Sequence, residues 1–118
     1  MNSNFPLHFG KPITEEPQLA ALLPEAVTQL ARDFDTAGIE QQFGAEQFSD
    51  VFAFRDAVEA ELLRPQTAAQ LPQLLYRADV PEKYASAAFG TDAAPHRAVA
   101  ELLVIRALQK VWFRKNYR

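Results

Sequence analysis

No cysteine occurs anywhere in this 118-residue chain. Disulfide frameworks and thiolate metal sites are therefore excluded, and the absence fits a reducing compartment such as the cytoplasm. Glycine is scarce. Gly10, Gly38, Gly44 and Gly90 stand alone, so no glycine-rich loop is present to cradle a phosphate. Histidine is limited to His8 and His96. Asp92 precedes His96 at ligand-like spacing, but two groups do not make a metal site. Ser3, Ser49 and Ser86 lack a Gly-x-Ser-x-Gly frame. No Glu-x-x-His occurs, which the di-metal helical proteins use. The pairs Asp33 with Asp35 and Asp56 with Glu59 therefore read as a solvated acidic face. No cofactor, no metal and no small-molecule substrate is expected, and no catalytic residue is assigned.

Long apolar runs are also lacking. The longest, AVAELLVIRAL at 98–108, is broken by Glu101 and Arg106 and falls short of the roughly 20 residues a membrane span needs. The opening residues, MNSNFPLHFGK, show no basic start followed by an apolar block, so no secretory signal is expected in them. What the chain does have is a hydrophobic content of 48%, enough for one ordinary domain with its own core. Alanine, leucine, glutamine and glutamate dominate between prolines and sustained alternation is missing, so helix is expected throughout.

The helices follow from the punctuation. Residues 1–13 read as an extended arm, with Phe5, Leu7 and Phe9 available to lie on the helices. Thr14 is placed to cap a short first helix, with Glu15 and Glu16 near its positive end. Pro24 suits the first turn of a second, whose Val27, Leu30 and Phe34 recur at helical spacing, and Gly38 is a left-handed stop. A third runs from about Ala45 or Ser49 to Leu63, with Phe48, Val51, Phe52, Val58 and Leu62 as its stripe and Phe54 to the side. Arg64 before Pro65 ends it. A fourth starts from a capping box at Thr67 and Gln70, or has Pro72 in its first turn; Leu71, Leu74, Leu75 and Tyr76 supply its core face. Asp79-Val80-Pro81 breaks the chain, and a short helix follows and stops at Gly90. The last helix starts near Asp92 or Pro95 and reaches about Asn116. Between Ala98 and Ile105 only Glu101 is polar, and a helix apolar nearly all round is a buried one. The predicted fold is an all-α bundle of four to six helices in a single domain over 1–118, with the C-terminal helix largely buried at its centre.

Charge is unevenly placed. Net charge is −3, yet residues 1–60 carry 3 basic and 10 acidic side chains while residues 61–118 carry 9 basic and 5 acidic. From Arg106 onward there are cations and no acid. Arg106, Lys110, Arg114 and Arg118 recur every four residues and make a basic stripe on the last helix, beside Lys115, Trp112, Phe113 and Tyr117. Four readings of this tail compete. The aromatics pack inward and the cations complement the acidic half and the helix's negative end; or the set anchors a protein interface, for which Trp, Tyr and Arg are favoured; or the cations contact nucleic-acid phosphates; or the tail lies on a lipid surface.

Two segments carry a resemblance. LLYRADVPEK at 74–83 and LLVIRALQKVWFRKNY at 102–117 resemble a group of small, uncharacterised bacterial helical proteins. That group pairs a Leu-Tyr-Arg-x-Asp-Val-x-Glu stretch with a terminal helix carrying Arg-x-x-Gln-Lys. The matching residues here are Leu75, Tyr76, Arg77, Asp79, Val80 and Glu82, then Arg106, Gln109 and Lys110. The resemblance implies a compact helical protein and no known activity. By its own chemistry, Tyr76 can bury its ring with its hydroxyl on a polar partner, and Arg77 either clamps the turn with Asp79 or pairs with Glu101. The function expected is a non-enzymatic cytoplasmic interaction or scaffold module that binds a protein partner or a second copy of itself. Nucleic-acid binding through the tail is the alternative, and an enzyme with an unrecognised site the third.

Overall fold

The broken apolar run at 98–108 becomes the middle of one 22-residue helix, about 33 Å long at 1.5 Å per residue. A computed structural model describes residues 5–91 and 93–116, and among them every regular element is helical. The order is α1 Pro17–Ala20, α2 Leu23–Thr36, a 3-10 turn at Phe43–Ala45, α3 Val51–Leu62, α4 Pro65–Ala69, α5 Leu71–Arg77, α6 Glu82–Thr91 and α7 Pro95–Asn116. α7 is the axis, with α2, α3 and α6 packed against it. Val99, Ala100, Leu102 to Ile105, Ala107 and Leu108 are all buried, as the near-absence of polar residues predicts. Each fully buried Leu, Val or Ile there contributes about 1.5–3 kcal/mol.

There is one helix more than expected because the fourth divides. Gln70 leaves helical geometry (φ −109°, ψ 12°) and Pro72 opens α5 in its first turn. The capping box at Thr67 is not formed. α4 already starts at Pro65, so Thr67 lies inside it, fully buried, and its hydroxyl has no hydrogen-bond partner. Three other expected boundaries also shift. α3 begins at Val51 because the Asp50 carboxylate accepts the Ala53 N–H at 2.9 Å, which places Phe48 outside the helix. Its buried stripe is therefore Phe54, Val58 and Leu62, spaced by four, and Phe54 is central rather than lateral. α6 continues through Gly90 to Thr91. At the front, α1 starts at Pro17, and the Thr14 hydroxyl donates to the Glu16 carboxylate at 2.6 Å instead of capping the helix.

Two helices end in the same way. After α2, Gly38 adopts φ +81°. The Ile39 N–H donates to the Phe34 carbonyl at 2.9 Å and the Gly38 N–H to that of Asp35 at 3.0 Å, the paired bonds of a Schellman stop. After α5 the left-handed position is taken by Asp79 (φ 62°). Val80 donates to Leu75 at 3.0 Å and Asp79 to Tyr76 at 3.1 Å. Aspartate tolerates this conformation better than most side chains. The turn that follows sets α5 and α6 as the two walls described below.

The arm lies against the bundle as predicted. Phe5, Leu7 and Ile13 are buried. The Phe5 ring meets Trp112 edge-on at 5.9 Å, and Phe9 sits 5.2 Å from Tyr84. No helix among the described residues is long and apolar enough to cross a membrane.

Candidate interaction surface

The basic stripe of α7 runs antiparallel along an acidic and amide face of α2. Glu25, Gln29 and Asp33 stand four apart and so share one side of their helix. Lys115 Nζ lies 2.8 Å from Glu25 Oε1, an Arg114 guanidinium nitrogen donates to Gln29 Oε1 at 2.9 Å, and Lys110 Nζ donates to Asp33 Oδ2 at 3.0 Å. Arg106 donates to the Asp79 carbonyl at 3.2 Å and to Gln109 at 3.3 Å. Trp112 and Phe113 are half-buried, and Trp112 meets Phe5. Tyr117 and Arg118 lie outside the described residues. Four of the tail's cations are thus engaged within the chain, and the acidic front and basic back meet in one molecule.

Lys110 does most of the joining. Besides Asp33 it reaches the Arg77 carbonyl at 3.5 Å and Asp79 Oδ2 at 3.7 Å, tying α2 to the turn between α5 and α6. Asp33 and Glu61 are both buried. This corrects the expectation of a solvated face for Asp33, which takes Lys110; Glu61, outside the two acidic pairs, takes Arg64 at 2.8 Å. Burial pushes the Asp33 carboxyl above its ordinary range. The hydrogen bond and charge of Lys110 and the hydrogen bond from Gln29 oppose the rise, while the Asp79 charge adds to it. Asp35, two residues on and so about 200° round the helix, is exposed. The expected pairing of Arg77 with Glu101 is replaced. Arg55 takes Glu101 at 3.2 Å and Asp56 at 2.9 Å. Burial depresses the Arg55 guanidinium's proton affinity, but the two carboxylates outweigh it and the net shift is upward.

The surface offers an apolar feature of a different kind. Only three large hydrophobic side chains are exposed among the described residues: Leu63, Tyr76 and Phe89. Two of these, Tyr76 (74% exposed) and Phe89 (45%), flank the same open groove of about 630 Å³ between α5 and α6. Pro72, Leu75, Val80 and Ala85 line it, with Glu82 and Ser86 as its polar members. The Arg77 guanidinium lies 5.9 Å from the Tyr76 ring centre, and the Phe89 ring meets His96 edge-on at 6.4 Å. Tyr76 was expected inside. It is outside because α5 turns Leu74 and Ala78 inward and position 76 is about 200° round from Leu74. α6 contributes the groove's other wall. It approaches the bundle through the small buried residues Ala85 and Ala88, which leaves Phe89 at the edge.

No group of three or more acidic or histidine side chains among the described residues is arranged to hold a metal. His8 is exposed in the arm. No family model, curated protein or solved structure matches this chain. The groove was legible in the sequence only as adjacency: an aromatic and an arginine side by side in a short helix whose core position is Leu74. Phe89 gave no separate signal.

Proposed function

We propose that the chain is a non-enzymatic protein-interaction module, working in the cytoplasm, and that it engages a protein partner through the groove between α5 and α6. One observation carries this. A fold that hides nearly all its large apolar side chains leaves Tyr76 and Phe89 exposed on one groove. Clustered exposed apolar surface marks interaction sites in a way that scattered residues do not. Tyrosine and arginine are also the side chains that most often dominate binding energy, and Arg77 stands beside Tyr76. The occupant is an apolar side chain projected by a partner protein. The absence of cysteine supports the cytoplasmic setting. The tail's cations support this reading less well than the groove does, because Lys110, Arg114 and Lys115 already have partners on α2. The nucleic-acid reading draws on the same cations.

The test is capture of a protein from extract of the native cell by the immobilised chain, alongside the Tyr76→Ser/Phe89→Ser double variant. Both positions are exposed, so the fold is expected to hold, and thermal melting checks it. The wild type should retain a protein that the variant releases. Equal retention by both removes the groove from the interaction. Retention of the chain's own second copy shows self-association instead.

A further inference from the structure

The geometry points to a second docking surface, a trough at the acidic end of the molecule that takes a basic amphipathic helix from a partner protein. Two cavities of about 410 and 440 Å³ adjoin there, with Leu23, Pro24 and Phe48 in the walls of both. The trough's floor is apolar, with Leu19, Val51 and Leu108 in the first cavity and Val27 in the second. Its border carries Glu15, Glu16 and Asp50 on the first and Glu46 on the second, and no lysine or arginine lines either. None of the four carboxylates has an ion-pair partner among the described residues. The nearby carboxylate of Glu25 is matched by Lys115, so pairing with α7 neutralises one side of α2 and leaves the trough unneutralised. Two of the carboxylates are held in place: Glu16 accepts the Thr14 hydroxyl at 2.6 Å and Asp50 caps α3.

An apolar floor bordered by charges of one sign selects a ligand with the opposite pattern. A helix with apolar side chains at i, i+3, i+4 and i+7 fills such a trough, while lysines and arginines on its flanks meet the carboxylates. Two adjoining cavities suit successive side chains of one peptide segment better than a compact small molecule. The trough is lined by none of the residues that bound the α5–α6 groove, so the two sites are separable and a chain with both is suited to bridging two partners.

The probe is a synthetic helical peptide with leucines at i, i+3, i+4 and i+7 and lysines on its flanks. Controls are a scrambled peptide of the same composition and one with glutamates replacing the lysines. Binding to the full chain is followed by fluorescence anisotropy, and the site is mapped by backbone amide shifts. The Lys peptide should bind and move amides within 15–28 and 44–51, while the other two should not. Glu15→Gln, Glu16→Gln and Glu46→Gln together should weaken binding about tenfold, the product of three exposed charge pairs of modest strength. Asp50 is left intact because it caps α3. Tyr76→Ser/Phe89→Ser should leave peptide affinity unchanged, so failure here is distinct from failure of the groove. Equal binding of the scrambled peptide, equal binding to the glutamine variant, or no binding at millimolar peptide overturns the proposal. So does dimerisation of the wild type that the glutamine variant abolishes, which makes a second copy the occupant.

Discussion

Replacing Lys110 by methionine leaves the stem of the side chain and removes its charge. Asp33 then keeps a buried carboxylate whose remaining side-chain partner is Gln29 at 3.2 Å, and the turn at Asp79 loses a cation 3.7 Å from its carboxylate. Breaking one side of a fully buried pair costs about 3–5 kcal/mol. The Lys110 side chain is 15% exposed and that of Asp33 9%, so solvent relieves part of the penalty and about 2–3 kcal/mol is expected. For a chain of this length that lowers the melting temperature by on the order of 10 °C. The loss should depend on pH, with a definite sign. Burial raises the Asp33 carboxyl in the folded protein. Its contribution to stability is therefore complete below the unfolded-state pKa and is lost as pH rises through the folded one. Without Lys110 the upward shift grows, so the variant's deficit against wild type should shrink on acidification, as the carboxyl protonates. The assay is urea denaturation across pH, comparing wild type, Lys110→Met and Asp33→Asn/Lys110→Met, the last of which should recover more than half of the loss. A deficit below about 0.5 kcal/mol, or one independent of pH, would show that Lys110 does not offset the Asp33 charge.

Four further outcomes follow from particular residues. Thr67→Val removes the buried hydroxyl that has no partner, and should raise stability by about 1 kcal/mol; a loss in denaturation would show the hydroxyl to be satisfied. Gly38→Ala should cost about 1 kcal/mol, because φ is +81° and the left-handed region disfavours a Cβ even with open space around it. Gly90→Ala meets the same open space but lies within α6, so it should instead stabilise by about 0.5 kcal/mol; the same sign for both in thermal melts would contradict the backbone assignments. Phe54→Ala should cost about 3–5 kcal/mol, far more than Phe52→Ala, since Phe54 is fully buried and Phe52 only partly.

The extent to which the sequence foretold this structure differs by level. The helical class and the buried middle of α7 followed from composition and from one nearly unbroken apolar run, which are signals local to a helix. The stop at Gly38 followed from the one residue that takes a left-handed backbone freely. A stripe counted from Phe48 puts Phe54 to the side, whereas the Asp50 cap starts α3 at Val51 and turns Phe54 inward. The spacing of Thr67 to Gln70 matches a capping box, but Pro65, two residues earlier, also starts a helix and places Thr67 inside it. The meeting of Asp33 with Lys110 joins positions 77 residues apart, and only the halves' opposite charge hinted at it. The groove depends on the angle between α5 and α6, which the left-handed Asp79 sets, and no periodicity within either helix reports that angle.

The central functional claim is that the chain meets its partner through the groove of α5 and α6 rather than through the basic end of α7. Amide hydrogen exchange of the chain alone and with its captured partner tests this directly. Added protection is expected within 71–90, with unchanged exchange within 106–116. Protection gained within 106–116 with none in 71–90 would contradict it.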